Sequence, residues 1–236
     1  MKILFLSNLY PPNVVGGYER LCYEVADALV VRGHDIMVLT SDYGESTADY
    51  PRQTIRRELK LLIGPEGIYQ PFTGGTEERE AINRLNIDRF EAAMVDFAPD
   101  IVFAWNLYFL DVSLLESIQK RQIPTVFLLT DNWLIAFLRR SYLQHFFADE
   151  VFAGPKSFLE KLKARAKGLL YGNGQGALAI PGRAIFASRF MERLYQDAGF
   201  RFSGNTVIYH GIKGSPHSGE IPVRESLCRQ GELRLL

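Results

Sequence analysis

Short apolar runs alternate with helix-length amphipathic stretches along most of the chain, and this alternation constrains the fold more than any other feature. Lys2 to Ser7 is a brief apolar run closed by polar and proline residues, the pattern of a parallel strand buried on both faces. From Tyr18 to Arg32, Leu21, Val25, Ala28 and Leu29 recur at helical spacing, and Gly33 stands where a C-cap is expected. Asp35 to Thr40 then reads as a second strand. Strand, helix and strand form one βαβ unit, which crosses over right-handed for steric reasons.

The same rhythm continues. A strand is expected at Ile55 to Leu62, a long helix at Glu77 to Phe97, and a strand at Asp100 to Ala104 after the breaker Pro99. A helix near Val112 to Arg121, strands at Thr125 to Leu129 and Ala184 to Ala187, a helix at Arg189 to Ala198 and a strand at Thr206 to Tyr209 follow. Strands separated by helices specify an α/β fold: a Rossmann-like, doubly wound, mostly parallel sheet with helices on both faces.

Two stretches break the rhythm. Gly64 to Gly75 is rich in Gly and Pro and reads as a loop. Arg139 to Gly182 is far longer than an ordinary connection and contains a lysine-rich helix, Lys156 to Leu170. Beyond Gly211, Gly214 to Gly219 has linker composition, and Leu233 to Leu236 looks like the beginning of another strand. The expected organisation is therefore one domain over residues 1–212, with an insert near 139–182, and a linker into a second domain over residues 213–236.

Composition enters mainly by exclusion. Lys plus Arg and Asp plus Glu both number 27, so no global charge draws the chain to nucleic acid. Cys22 and Cys228 are far apart in sequence, form no CxxC pair, and read as free thiols in a reducing compartment. The apolar run Ile3 to Leu6 is too short for a signal-peptide core or a membrane span, which makes the cytoplasm the expected location. No His and carboxylate pattern has metal-ligand spacing, so no metal site and no cofactor are expected.

Chemistry concentrates at the carboxyl ends of the expected strands. Gly16 and Gly17 follow the first strand and lead directly into a helix. Paired glycines admit close approach of a ligand, and a helix start offers free N–H groups to an anion. The same pair also suits a plain strand-to-helix turn that needs positive φ. Asp131, after the strand at Thr125 to Leu129, can bond a hydroxyl or accept its proton, or can cap the next helical turn. Of Trp105 and Asn106, the first suits the core and the second the cleft; Trp133 can pack in the core or line the cleft. Arg189 can reach a phosphate or stand solvated. The basic stretch carrying Lys156, Lys161, Lys163, Arg165 and Lys167 can lie on an anionic membrane surface or pack on the domain.

Several segments together resemble glycosyltransferase family 4. The opening Lys2-Ile-Leu-Phe-Leu-Ser-Asn-Leu-Tyr-Pro-Pro with Gly16-Gly17-Tyr-Glu-Arg20, and Ala28 to Thr40, look like that family's start. Ala98-Pro-Asp-Ile-Val102, Ile123-Pro-Thr-Val126, Ala187-Ser-Arg-Phe-Met191 and Val207-Ile-Tyr-His-Gly-Ile212 are similar to its later strands, in order. The resemblance implies the N-terminal, acceptor-side half of a two-domain GT-B enzyme that transfers a sugar from a nucleotide-sugar donor, such as a UDP- or GDP-sugar. The acceptor would be a glycan, a lipid-linked molecule or a small molecule. It further implies retention of configuration, no need for a metal, and a role in cell-surface polysaccharide synthesis.

On this resemblance the glycine loop, with Gly16, Gly17 and the adjoining Tyr18, lies near donor phosphate or acceptor; Asn106, Trp133 and Arg189, read from their places after strands, complete the expected substrate-binding residues. Thr130 occupies the place of a histidine that many members carry, with Asp131 beside it as the catalytic candidate. The donor-gripping acidic motif belongs to the family's second domain, so this chain alone is expected to be inactive. A lipid-linked acceptor would bring the basic helix 156–170 to the inner face of the membrane. The competing reading is a stand-alone Rossmann-like module that binds a sugar or nucleotide without catalysis.

Overall fold

The computed structural model describes residues 1–44, 50, 52–147 and 176–211, together with the backbone at 228–229 and 232–233. Seven strands form one sheet: β1 (Lys2–Leu6), β2 (Asp35–Ser41), β3 (Thr54–Leu59), β6 (Ile101–Ala104), β7 (Thr125–Leu129), β8 (Leu178–Phe186) and β9 (Phe200–Val207). Their order is β3-β2-β1-β6-β7-β8-β9, and every pairing is parallel. The order reverses between β1 and β6. That reversal is the switch point at which open α/β sheets leave a crevice beyond the strand ends.

Alternation along the strands divides the core into two layers. Leu4, Leu6, Met37, Leu39, Val102, Ala104 and Phe127 face one side. Ile3, Phe5, Ile36, Val38 and Trp105 face the other, against Cys22 and Ala26 of α1 (Gly17–Val31). The first layer receives Phe90 and Ala93 of α2 (Thr76–Phe97) and Leu114, Leu115 and Ile118 of α3 (Val112–Lys120). It also receives α4 (Trp133–Leu138) and α6 (Arg189–Asp197), through residues that include Trp133, Met191, Leu194 and Tyr195. Each fully buried large aliphatic or aromatic side chain contributes about 1.5–3 kcal/mol to holding the layers together.

Local chemistry sets the element ends. The Gly16 N–H donates to the Glu19 carboxylate at 2.9 Å, which satisfies one donor at the start of α1. At its other end Gly33 takes φ +84°, and the N–H groups of Gly33 and His34 return to the carbonyls of Val30 and Leu29. This is the paired C-terminal closure that a left-handed glycine permits, so Gly33 acts as the sequence suggests. The Asp111 carboxylate accepts from Ser113 N–H at the start of α3.

The structure corrects three details. Gly64 to Gly75 is not all loop, because β4 (Ile63–Gly64) and β5 (Gly67–Pro71) pair antiparallel within it. Leu178 to Gly182, read as the end of the insert, already belong to β8, while α5 (Arg140–Phe146) lies at its beginning. Both β8 and β9 begin about six residues earlier than the apolar runs suggest. In β8 the register shifts between Ile180 and Arg183, where Gly182 has φ +138°. A Cβ there would stand 2.8 Å from both the Phe127 ring and the Thr125 carbonyl oxygen, so only glycine fits. The basic helix at Lys156 to Leu170 and the Gly214 to Gly219 linker lie outside the described residues. Near the end of the chain, β10 (Cys228–Arg229) and β11 (Glu232–Leu233) pair antiparallel.

Candidate functional site

Two loops meet at the switch point. After β1, the Asn8 N–H donates to the Asn106 carbonyl at 2.7 Å, and the Asn8 side-chain amide donates to the Tyr108 carbonyl at 3.1 Å. The Asn106 side-chain oxygen accepts the Tyr108 N–H at 2.9 Å. These bonds tie the ends of β1 and β6 together and form the floor of a cleft of about 310 Å³. Its polar walls come from Asn8, Glu19, Asn106, Asp131 and Asn132, with Val15 at the glycine loop.

The glycine pair beside this cleft serves no evident need within the chain. Gly16 has extended backbone at φ −154°, and Gly17 is not in the left-handed region. A Cβ on Gly17 would meet nothing within 4 Å, and one on Gly16 would only touch the Glu19 carboxylate at 4.0 Å. A turn needing positive φ is therefore not the reason for either glycine. What remains is unobstructed space over the first turn of a fifteen-residue helix, where backbone dipoles favour an anion.

Across the cleft the β7 turn is fixed by two phenols. The Tyr18 hydroxyl donates to the Leu128 carbonyl at 2.7 Å and accepts the Thr130 N–H at 3.2 Å. The Tyr195 hydroxyl donates to the Asp131 carbonyl at 3.1 Å. Burial raises both phenols' pKa values, with nearby Asp131 adding to the rise, so both stay protonated. Tyr18, expected at the substrate, thus spends its hydroxyl on holding this turn.

Asp131 itself accepts the Trp133 N–H at 2.9 Å, a local bond two residues on at the start of α4, whose N-cap position is Asn132. It also lines the cleft. Asp131 is exposed, yet the protein crowded around its carboxyl still raises its pKa; the Trp133 N–H opposes this, and the Glu19 charge adds to the rise. Glu19 is almost fully buried and had no role assigned from sequence beyond its place in the opening motif. The available signal was its position three residues after Gly16, where a carboxylate caps the loop and must face the same cleft.

The other expected residues separate. Asn106 lies in the cleft wall, and Thr130 is half-buried at the turn. Trp133 is wholly buried, as is Trp105, so the Trp133 ring belongs to the core and not to the cleft lining. Arg189 is mostly exposed, pairs with Glu192 at 2.8 Å, and is not part of the cleft wall. Among the described residues, no group of three or more His, Cys, Asp and Glu side chains could hold a metal, and no helix is long and apolar enough to cross a membrane.

An open parallel sheet with a polar cleft at its switch point, beside a bare helix start, defines a ligand-binding Rossmann-like domain. The model of Glycosyltransferase Family 4 matches residues 15–213, and the chain belongs to that family. No curated protein matches it. Among solved structures, a sucrose-phosphate synthase from Thermosynechococcus elongatus is similar at 13% identity and TM-score 0.45, over 89% of this chain and 90% of its own. MurG from Acinetobacter baumannii is similar at 13% identity and TM-score 0.38, over 86% and 66%.

Proposed function

We propose that the chain is the acceptor-side domain of a GT-B glycosyltransferase, which acts with a second, donor-binding domain to move a sugar from a nucleotide sugar to a hydroxyl acceptor. One observation carries this reading: Gly16 and Gly17 leave open, anion-favouring space beside a cleft whose opposite wall carries Asp131. Donor phosphate approaches the glycines, and the acceptor hydroxyl donates to Asp131. The acceptor oxygen enters on the face of the sugar from which the phosphate oxygen leaves, so configuration is retained: the new carbon–oxygen bond forms as the old one breaks, Asp131 takes the hydroxyl proton, and the nucleoside diphosphate departs. A carboxylate with a raised pKa suits that task, since a base is most effective when its pKa approaches the working pH.

We further propose retention of anomeric configuration and independence of metal, as the family resemblance implies, and a cytoplasmic site of action. The test is transfer from a panel of UDP- and GDP-sugars, comparing this chain with a longer form that includes a donor-binding domain. The expected result is turnover by the longer form only, undiminished by a chelator, with the product's anomeric proton coupling matching the donor's. Saturable ligand binding with no turnover by either form would replace the transferase with a binding module.

A further inference from the structure

The polar cleft does not end at Asp131. Asp131 and Asn132 also form one end of a second cavity, of about 580 Å³, that runs between α5 and α6. Among the described residues its remaining lining is apolar: Leu143, Phe146 and Phe147 on one side, Phe190, Met191 and Leu194 on the other. Both volumes fall in the roughly 300–1,000 Å³ range of small-molecule sites. Phe190, in the first turn of α6, is 61% exposed, and Phe147 is 38% exposed. A large aromatic held as open to water as Phe190, beside a polar site, commonly marks a place where an apolar group docks.

We infer that this trough is the acceptor's tail subsite, and that the acceptor is an amphiphile whose sugar or alcohol head lies at Asp131 and whose aliphatic chain lies between α5 and α6. The inference rests on the proposed transferase reading, because that reading puts the acceptor hydroxyl at Asp131. Continuity decides the occupant. Among the described residues, a ligand bonded to Asp131 and turned away from the glycine loop meets only hydrocarbon side chains beyond Asn132. A second glycan unit would find there almost none of the donors and acceptors its hydroxyls need, and their desolvation would be uncompensated. An aliphatic chain loses nothing by entering and gains from each methylene removed from water.

The test uses this chain with methyl, butyl, hexyl and octyl glycosides of glucose, galactose, mannose and N-acetylglucosamine, below their micelle concentrations, by titration calorimetry. For the sugar that binds, affinity should rise with chain length, by at least about tenfold from methyl to octyl. Phe190→Asp, with folding checked by circular dichroism, should remove that dependence, and Asp131→Asn should weaken the short and long glycosides alike. A flat length profile, as when the trough is filled by the chain's own residues or a second copy, overturns the tail subsite and leaves the transferase reading standing. A length dependence that Phe190→Asp leaves intact is adsorption elsewhere, and overturns it too. Failure of every glycoside to bind overturns both.

Discussion

The two loops that face each other across the switch point are built on opposite plans. The loop after β1, from Ser7 to Gly16, is long and anchored at its base. Asn8 accepts the Ser41 N–H, the Arg57 guanidinium donates to the carbonyls of Tyr10 and Pro11, and the Tyr10 hydroxyl donates to Gln53 at 2.5 Å. Its far end, Gly16 and Gly17, has open space above it. The turn after β7 is short and gripped through its backbone by Tyr18 and Tyr195. One loop has a fixed root and an unencumbered tip. The other has a fixed backbone that directs Asp131 and Asn132 at whatever enters. A long loop can adapt to a ligand's bulk, whereas a clamped turn can present a carboxylate in one position, as transfer geometry demands.

Breaking the clamped turn's chemistry should have the largest consequence. Asp131→Asn in the two-domain enzyme should lower kcat/KM by roughly two to four orders of magnitude, the usual span for losing a general base. Because asparagine still accepts the Trp133 N–H, the thermal midpoint should hardly move. A midpoint that falls with activity would give Asp131 a structural role and nothing more.

Anchors come next. Arg57→Met strands two carbonyls that accept from a half-buried cation, and should cost about 2–3 kcal/mol in urea denaturation. Tyr18→Phe strands the Leu128 carbonyl and Thr130 N–H, and should cost about 1–2 kcal/mol. The second should also reduce turnover, because the turn it releases carries Asp131. Equal activity losses would erase the distinction between root and clamp.

At the free tip the signs separate. Gly17→Ala should raise stability by about 0.4–1 kcal/mol, because helical backbone there tolerates a methyl that meets nothing. The same methyl intrudes on bound ligand, and should raise the donor KM on the order of tenfold. Unchanged KM would mean that nothing comes near Gly17.

The smallest effect concerns pH. The fold favours protonated Asp131, so the stability this group contributes is present below its unfolded-state pKa and lost as pH rises through its raised folded value. The base needed for transfer appears over the same window. Glu19→Gln removes one contributor to the rise, and should move the acid limb of the kcat/KM profile to lower pH. A limb that stays in place would show that Glu19 does not reach Asp131 electrostatically.

Most of the sheet was legible because parallel strands buried on both faces appear as unbroken apolar runs, as in Lys2–Leu6 and Thr125–Leu129. The early parts of β8 and β9 were not. Pro181 and Gly182 cut the first in two, separating Leu178–Ile180 from Ala184–Phe186, and Gly204 and alternating polar residues dilute the second. The β4–β5 hairpin hides in the same glycine and proline content that suggests loop. At the site, Asn106 and Asp131 could be found from strand ends alone, since topology puts them there. Trp133 and Arg189 follow the same rule but point elsewhere, one into the core and one toward Glu192. Strand ends specify where a backbone arrives. Side-chain direction depends on the helices that pack over it, and those contacts have no local signature.

The Tyr18 clamp has a further consequence in time. Within the β7–β8 ladder an amide exchanges with solvent only when strands part, but the Thr130 N–H ends on a phenol oxygen carried by the first turn of α1. Its exchange is governed by the fraying of that turn and requires no unfolding of the sheet. A ligand that settles on the start of α1 would therefore slow deuterium uptake at Thr130, on the far wall, without touching it.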